Sequence, residues 1–100
     1  MIRNTLTSKQ KSFLRSMGVK LEPVLNIGQE GVTPAVVESA KEVIKKRELI
    51  KVRVQKGASV EPKEAVEMLT ERVDADLVQL IGRNGLLFKR NFEKPKIELP

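Results

Sequence analysis

The stretch Pro23-Val24-Leu25-Asn26-Ile27-Gly28-Gln29-Glu30-Gly31-Val32-Thr33-Pro34 decides the fold, because a short apolar strand runs through two glycines directly into a helix start. Thr33 is placed to cap, and Pro34 to occupy the first helical position, where a missing N–H is harmless. Glycine at 28 and 31 lets the backbone adopt positive φ and approach a ligand with no Cβ in the way. The join therefore brings unpaired N–H groups and the positive end of a helix dipole to one place, a setting that suits a phosphate. A G-x-x-G spacing equally serves a turn that needs glycine for conformation alone, so two readings of the loop stand side by side.

Working outward, Val36, Val37, Ala40, Val43 and Ile44 recur at helical spacing between Pro34 and about Arg47, with Glu38, Lys41, Glu42 and Lys45 opposite. Leu49 to Lys56 alternates, Ile50, Val52 and Val54 on one side and Lys51, Arg53 and Gln55 on the other, which predicts a half-buried strand with a basic exposed face. Gly57 and Ser59 mark a loop. Pro62 opens a third helix with Ala65, Val66, Leu69 and Val73 inward, and Leu77 to Ile81 is the next strand. Gly82-Arg83-Asn84-Gly85 predicts a tight turn, with Asn-Gly as its hairpin chemistry, before Leu86 to Arg90 returns antiparallel. Upstream, Thr7 and Gln10 have the spacing of a capping box, Phe13, Leu14 and Met17 form an inner helix face, Gly18 ends the helix, and Lys11 and Arg15 point away.

The resulting α-β-α-β-α-β-β order predicts one two-layer α/β domain over residues 1–100, with right-handed crossovers and a four-stranded mixed sheet. If the first three strands run parallel, the loop at 28–31 and the turn at 82–85 leave the same end of the sheet. Arg83 then supplements the first loop.

Composition narrows the chemistry. The 100 residues contain no His, Cys, Tyr or Trp, so the commonest general base, the best nucleophile and the usual zinc ligands are missing together. Asp74 and Asp76 are the one close aspartate pair, at a helix-to-strand join where acids commonly serve turns, and Glu64, Glu67 and Glu71 fit a solvated helix face. No enzyme activity, cofactor or metal is expected. Nor is a membrane partner: no apolar run reaches the ~18 residues of a spanning helix, and the helices do not combine a basic face with bulky Trp, Phe or Leu on the other, as surface-lying helices usually do. The start of the chain lacks a signal-peptide pattern, which predicts a cytoplasmic protein.

Charge is the second strong signal. The net charge is +6, yet residues 61 to 76 hold six acids against two bases, leaving the remainder at +10. Arg3, Lys9, Lys11, Arg15 and Lys20 fall in an acid-free segment, Lys45, Lys46, Arg47, Lys51, Arg53 and Lys56 form a second group, and Arg83, Lys89 and Arg90 a third. Basic surfaces of this kind concentrate polyanions, nucleic acid first and an anionic membrane second.

Several blocks, in order, resemble the bacterial YhbY proteins, the stand-alone form of the CRM (chloroplast RNA splicing and ribosome maturation) domain. They are Thr7-Ser8-Lys9-Gln10-Lys11 with Leu14-Arg15, Pro23-Val24, Ile27 to Thr33, Arg47 to Val52, Val78 to Gly82, Leu86 to Arg90 and Lys96 to Pro100. The resemblance implies an RNA-binding domain similar to the C-terminal domain of bacterial initiation factor three, with a glycine loop like that of KH domains. It further implies association of bacterial members with large-subunit precursors, and of plant relatives with group II intron splicing. On this chain the family loop falls on Gly28, Gln29, Glu30 and Gly31. Relatives often carry lysine or a small neutral residue where Gln29-Glu30 stands, and tyrosine where Phe88 stands. Glu30 repels a phosphate, which throws weight onto the glycine backbone.

The expectation is thus a monomeric RNA-binding protein that assists large-subunit assembly, with ribosomal RNA as partner and a ribosomal protein contact as a further option. Gly28, Gln29 and Gly31 admit the RNA backbone, while Lys9, Lys11, Arg15, Lys51, Arg53 and Arg83 neutralise phosphates. With only Phe13, Phe88 and Phe92 as aromatics, recognition is expected to rest on shape and backbone, with little stacking. The alternatives are a protein-binding adaptor using the acidic third helix, a DNA-binding protein, and, last, an enzyme.

Overall fold

A computed structural model describes residues 6–100, so Arg3 of the N-terminal basic group lies outside the described residues. Helix α1 spans Ser8–Gly18 and starts at a reciprocal cap: the Thr7 hydroxyl accepts from the Gln10 N–H at 3.1 Å, and the Gln10 side chain accepts from the Thr7 N–H at 3.1 Å. Then follow β1 (Pro23–Ile27), α2 (Pro34–Arg47), β2 (Leu49–Val54), α3 (Pro62–Arg72), β3 (Asp76–Ile81) and β4 (Asn84–Phe88). Thr33 caps α2 through Val36 N–H at 3.2 Å with Pro34 in its first turn.

The four strands lie in the order β1-β2-β4-β3, with β1 parallel to β2 and β4 antiparallel to both its neighbours. Strand β4 therefore slots between β2 and β3, and the first three strands all point the same way. This is the expected single α/β domain with a mixed sheet.

One sheet face carries Ile27, Ile50, Val52, Val54 and Leu87, packed with Val37, Ala40 and Ile44 of α2 and Ala65, Val66 and Leu69 of α3. The other face carries Leu49, Val78, Leu86 and Phe88, which pack with Leu14 of α1 and with Ile97 beyond β4. Two layers are consequently supplemented by a partial third one. Leu49 shares the face of Lys51 and Arg53 and is buried, so β2 is exposed there only toward its end.

Two glycines act differently from the sequence expectation. Gly18 is the last residue of α1, so the helix ends where the sequence places its stop, but glycine is needed there for packing: an added Cβ would sit 2.5 Å from Leu86 Cδ2, and the cap position itself is Val19. Of the expected inner face only Leu14 is fully buried: Phe13 and Met17 are each 38% exposed, and Lys11 and Arg15, expected to point away, are half-buried, because α1 meets the sheet along Leu14 and Gly18. The second correction concerns the hairpin. Its two-residue loop is Gly82-Arg83, between paired Ile81 and Asn84, and the positive φ (+57°) falls on Gly82, which supplies the turn chemistry assigned above to Asn84-Gly85. Gly85 is instead a strand residue, needed because a Cβ there would meet Val66 Cγ1 at 2.6 Å.

Candidate nucleic-acid interface

Because β1, β2 and β3 share a direction, their C-terminal ends release the loops 28–33 and 55–61 and the turn 82–83 at one end of the sheet. Backbone bonds join them: the Gln55 N–H donates to Ile27 O at 2.9 Å and the Val54 N–H to Arg83 O at 2.7 Å. The Arg83 guanidinium donates from Nη1 to Gln55 O at 3.3 Å, which fixes a half-buried positive charge beside the glycine loop. Arg72 Nη1 donates to Val32 O at 3.2 Å and anchors the far side of that loop to α3.

Within the loop the two glycines have distinct roles. The Gly31 N–H donates to Gly28 O at 3.0 Å and the Thr33 N–H to Gly31 O at 3.1 Å, so a tight turn consumes part of the donor set. Gly31 is buried at φ +76°, and a Cβ would lie 3.2 Å from Ser59 Oγ. Conformation and packing together account for glycine at 31. Gly28 is half-buried and lies outside the left-handed region, and a Cβ would meet only the flexible end of Gln55, at 3.5 Å. Among the described residues nothing in the backbone conformation or the packing requires glycine at 28. Gln29 and Glu30 are exposed at the tip.

Arg53 is exposed, opposite Asn26 on β1 and Asn84 on β4, one strand end away from the loop. Lys51, two residues earlier on the same face, is half-buried and borders a groove of about 180 Å³ with Val19, Ile81 and Asn84. Arg15 and Lys11 are half-buried on α1, and Lys11 is engaged in a contact of its own. Lys9 is exposed in the first turn, roughly 13 Å along the axis from Gly18, and its neighbour Gln10 donates to Pro100 O at 3.3 Å. The structure thus gathers Gly28, Gln29, Gly31, Arg53 and Arg83 at one end, sets Lys51 just below, and leaves Lys9 near the opposite end.

Two residues of this surroundings escaped sequence reasoning. Asn84 Oδ1 is buried without a hydrogen-bond partner among the described residues, facing the groove beside Lys51; the hairpin reading of Asn-Gly hid it. Glu48 is fully buried at φ +63°, and its carboxylate accepts the N–H groups of Asn91, Lys96 and Ile97, each at 2.7 Å. Burial opposes its ionisation, but those three donors and the charge of Arg90 hold the carboxyl below its ordinary value. No local signal in Arg47-Glu48-Leu49 announces this, since the donors come from more than forty residues away. Asp74, at φ +58°, donates its N–H to Glu71 O and serves the turn after α3.

The geometry has counterparts in known proteins. The sequence is 38% identical over 95 residues to a Bacillus subtilis protein named "Probable RNA-binding protein YqeI", covering 95% of this chain and 99% of that one. It is 36% identical over 97 residues to a Haemophilus influenzae protein named "RNA-binding protein", covering 96% of each. The fold superposes with a TM-score of 0.77 and 34% identity on the solution structure of a hypothetical protein from Staphylococcus aureus, proposed there to bind RNA, covering 96% of this chain and all of that one. Residues 6–89, which hold every element from α1 to β4 and the loop end just described, match the CRS1 / YhbY (CRM) domain, and the chain belongs to that family.

Proposed function

We propose that this protein binds RNA by its phosphate backbone and shape, and that it assists assembly of the large ribosomal subunit without catalysis of its own. The observation that carries the proposal is the convergence at one sheet end of a glycine with no internal reason to be glycine, Gly28, with a tethered Arg83 and the exposed Arg53. An extended phosphate chain can lie across Gly28 and be neutralised from the strand face. RNA binding named for the relatives supports this reading, and the ribosomal target follows the family resemblance. Lys51, Arg15 and Lys11 extend the track along the α1 face, and Lys9 contributes only to a ligand long enough to reach the far end. The protein acts as a monomer in the cytoplasm on this reading; among the described residues no helix is long and apolar enough to cross a membrane.

The test is sedimentation of an extract together with competition in solution. Wild-type protein is expected in fractions holding large-subunit precursors, and structured RNA is expected to outcompete DNA of equal length at equal salt. A folded Gly28→Asp variant should move to the free fractions. If that variant stays on the particles and leaves only when Glu64, Glu67 and Glu71 are neutralised, the protein is held by its acidic helix as an adaptor and the RNA proposal fails.

A further inference from the structure

At the end of the sheet opposite the glycine loop, Phe92 is 85% exposed. A single apolar side chain on a surface calls for no explanation. This one differs in how it is held and in what surrounds it. The flanking backbone is fixed by the buried Glu48 carboxylate, which accepts the N–H groups of Asn91, Lys96 and Ile97. Asn91 in turn donates from Nδ2 to Lys45 O at 2.9 Å, at the end of α2, and its Oδ1 accepts the N–H groups of Glu93 and Lys94 at 3.1 Å. A chain that spends a buried carboxylate and a side-chain amide on one loop, and leaves its aromatic ring in water, has pre-organised that ring for an outside partner.

The surroundings are basic. A groove of about 380 Å³ beside the ring is floored by Ile44 and bordered by Lys41, Lys45, Lys89 and Arg90, with Glu93 as its one acid. Lys89 donates to Val73 O at 3.0 Å, which tethers it, and the Arg90 guanidinium stands over the Phe88 ring, 5.9 Å from its centroid. Lys41 makes a 3.8 Å ion pair with Glu38 across an exposed helix turn, a contact weak enough for a phosphate to displace. Lys46, Lys94 and Lys96 continue the charge along the neighbouring surface, where Glu42 is the single acid. The other side of Phe92 borders Asp74 and Asp76 together with Lys89 and Arg90, so the unbalanced positive charge lies on the α2 side.

An aromatic face next to a cationic track is the arrangement that takes a single-stranded nucleic acid, the base stacking and the phosphates neutralised. We propose that Phe92 is a stacking platform for an unpaired RNA base, with Lys41 and Lys45 neutralising the adjoining phosphates, as a second RNA contact separate from the glycine-loop end. The inference rests on RNA being the ligand. Strand β2 spans six residues, which sets the two contacts roughly 20 Å apart, so one RNA with a paired region and an unpaired extension can engage both.

The absence of Trp and Tyr from the chain makes the test direct, because Phe92→Trp introduces a lone fluorophore. Single-stranded oligoadenylate of about ten nucleotides, within the span of such sites, should quench the indole. Phe92→Ala should bind that oligomer roughly 5- to 150-fold more weakly, with an unchanged thermal midpoint, and should bind an abasic oligomer of the same length as wild type does. An unquenched indole, or equal loss on the abasic oligomer, overturns the proposal. So does an indole that responds to anionic phosphatidylglycerol vesicles and not to RNA, which marks a membrane surface. If Phe92→Ala leaves all RNA binding intact while Lys51→Gln with Arg53→Gln weakens it, the stacking site falls and the proposed function stands; wild-type protein that binds neither structured nor single-stranded RNA removes both.

Discussion

Glycines 28 and 31 look equivalent in a G-x-x-G spacing and separate once the backbone is seen. Gly31→Ala forces a side chain into φ +76° against Ser59, and unfolding experiments should show a loss of about 1 kcal/mol or more. Gly28→Ala should leave the melting temperature within error of wild type, because only Gln55 stands near its added methyl; its effect, if the RNA backbone passes there, is on affinity. Glu48 makes the other residue-scale prediction. Its folded-state carboxyl titrates below the ordinary glutamate range, so the stabilisation it gives is present above the unfolded value of about 4.3 and is lost as pH falls through the lower folded value. Amide exchange at Asn91, Lys96 and Ile97 should accelerate over that acid interval and not at neutral pH. Glu48→Gln puts an amide N–H against one of three N–H donors and should destabilise the protein by about 1–3 kcal/mol.

Among the elements, the tightest contacts are those where a helix meets the sheet through a missing Cβ. Gly85→Ala drives a methyl into Val66 of α3 and Gly18→Ala one into Leu86 below α1, so chemical denaturation should show each variant destabilised by about 1–3 kcal/mol. Neither role was legible from sequence, where Gly18 reads as a helix stop and Gly85 as half of a turn: a glycine demanded by local φ and one demanded by a neighbour from a distant segment look alike in one dimension. What was legible has a local cause. The Thr7–Gln10 and Thr33 caps, the valines of α2 and the alternation of β2 appear where their spacing placed them. The buried Leu49 was missed because its cover, Leu14 and Ile97, comes from both ends of the chain. Strand direction alone puts Arg83 at the loop end, whereas nothing near Phe92 in the sequence marks it, since the Glu48 bonds that hold its loop are long-range.

For the whole molecule, the acidic stretch 61–76 runs through α3 and the turn into β3, and the remaining chain carries +10, with its described basic groups at the sheet ends and on the α1 face. Long-range attraction of this kind should raise association rates with polyanions and fade with added salt. The central claim is that RNA lies on the loop end and the strand face of Lys51 and Arg53. Its most direct test is the salt dependence of structured-RNA binding by wild type and by Lys51→Gln with Arg53→Gln, glutamine being chosen so that the half-buried stem at 51 keeps its packing. With about four to six phosphates neutralised, the wild-type plot of log K against log salt should fall with a slope of roughly −3 to −5. The double variant, equally stable to heat, should bind more weakly, with a slope shallower by about 1.4 to 1.8 for its two lost contacts. Identical slopes and affinities for the two proteins would contradict the account and place the RNA on another surface.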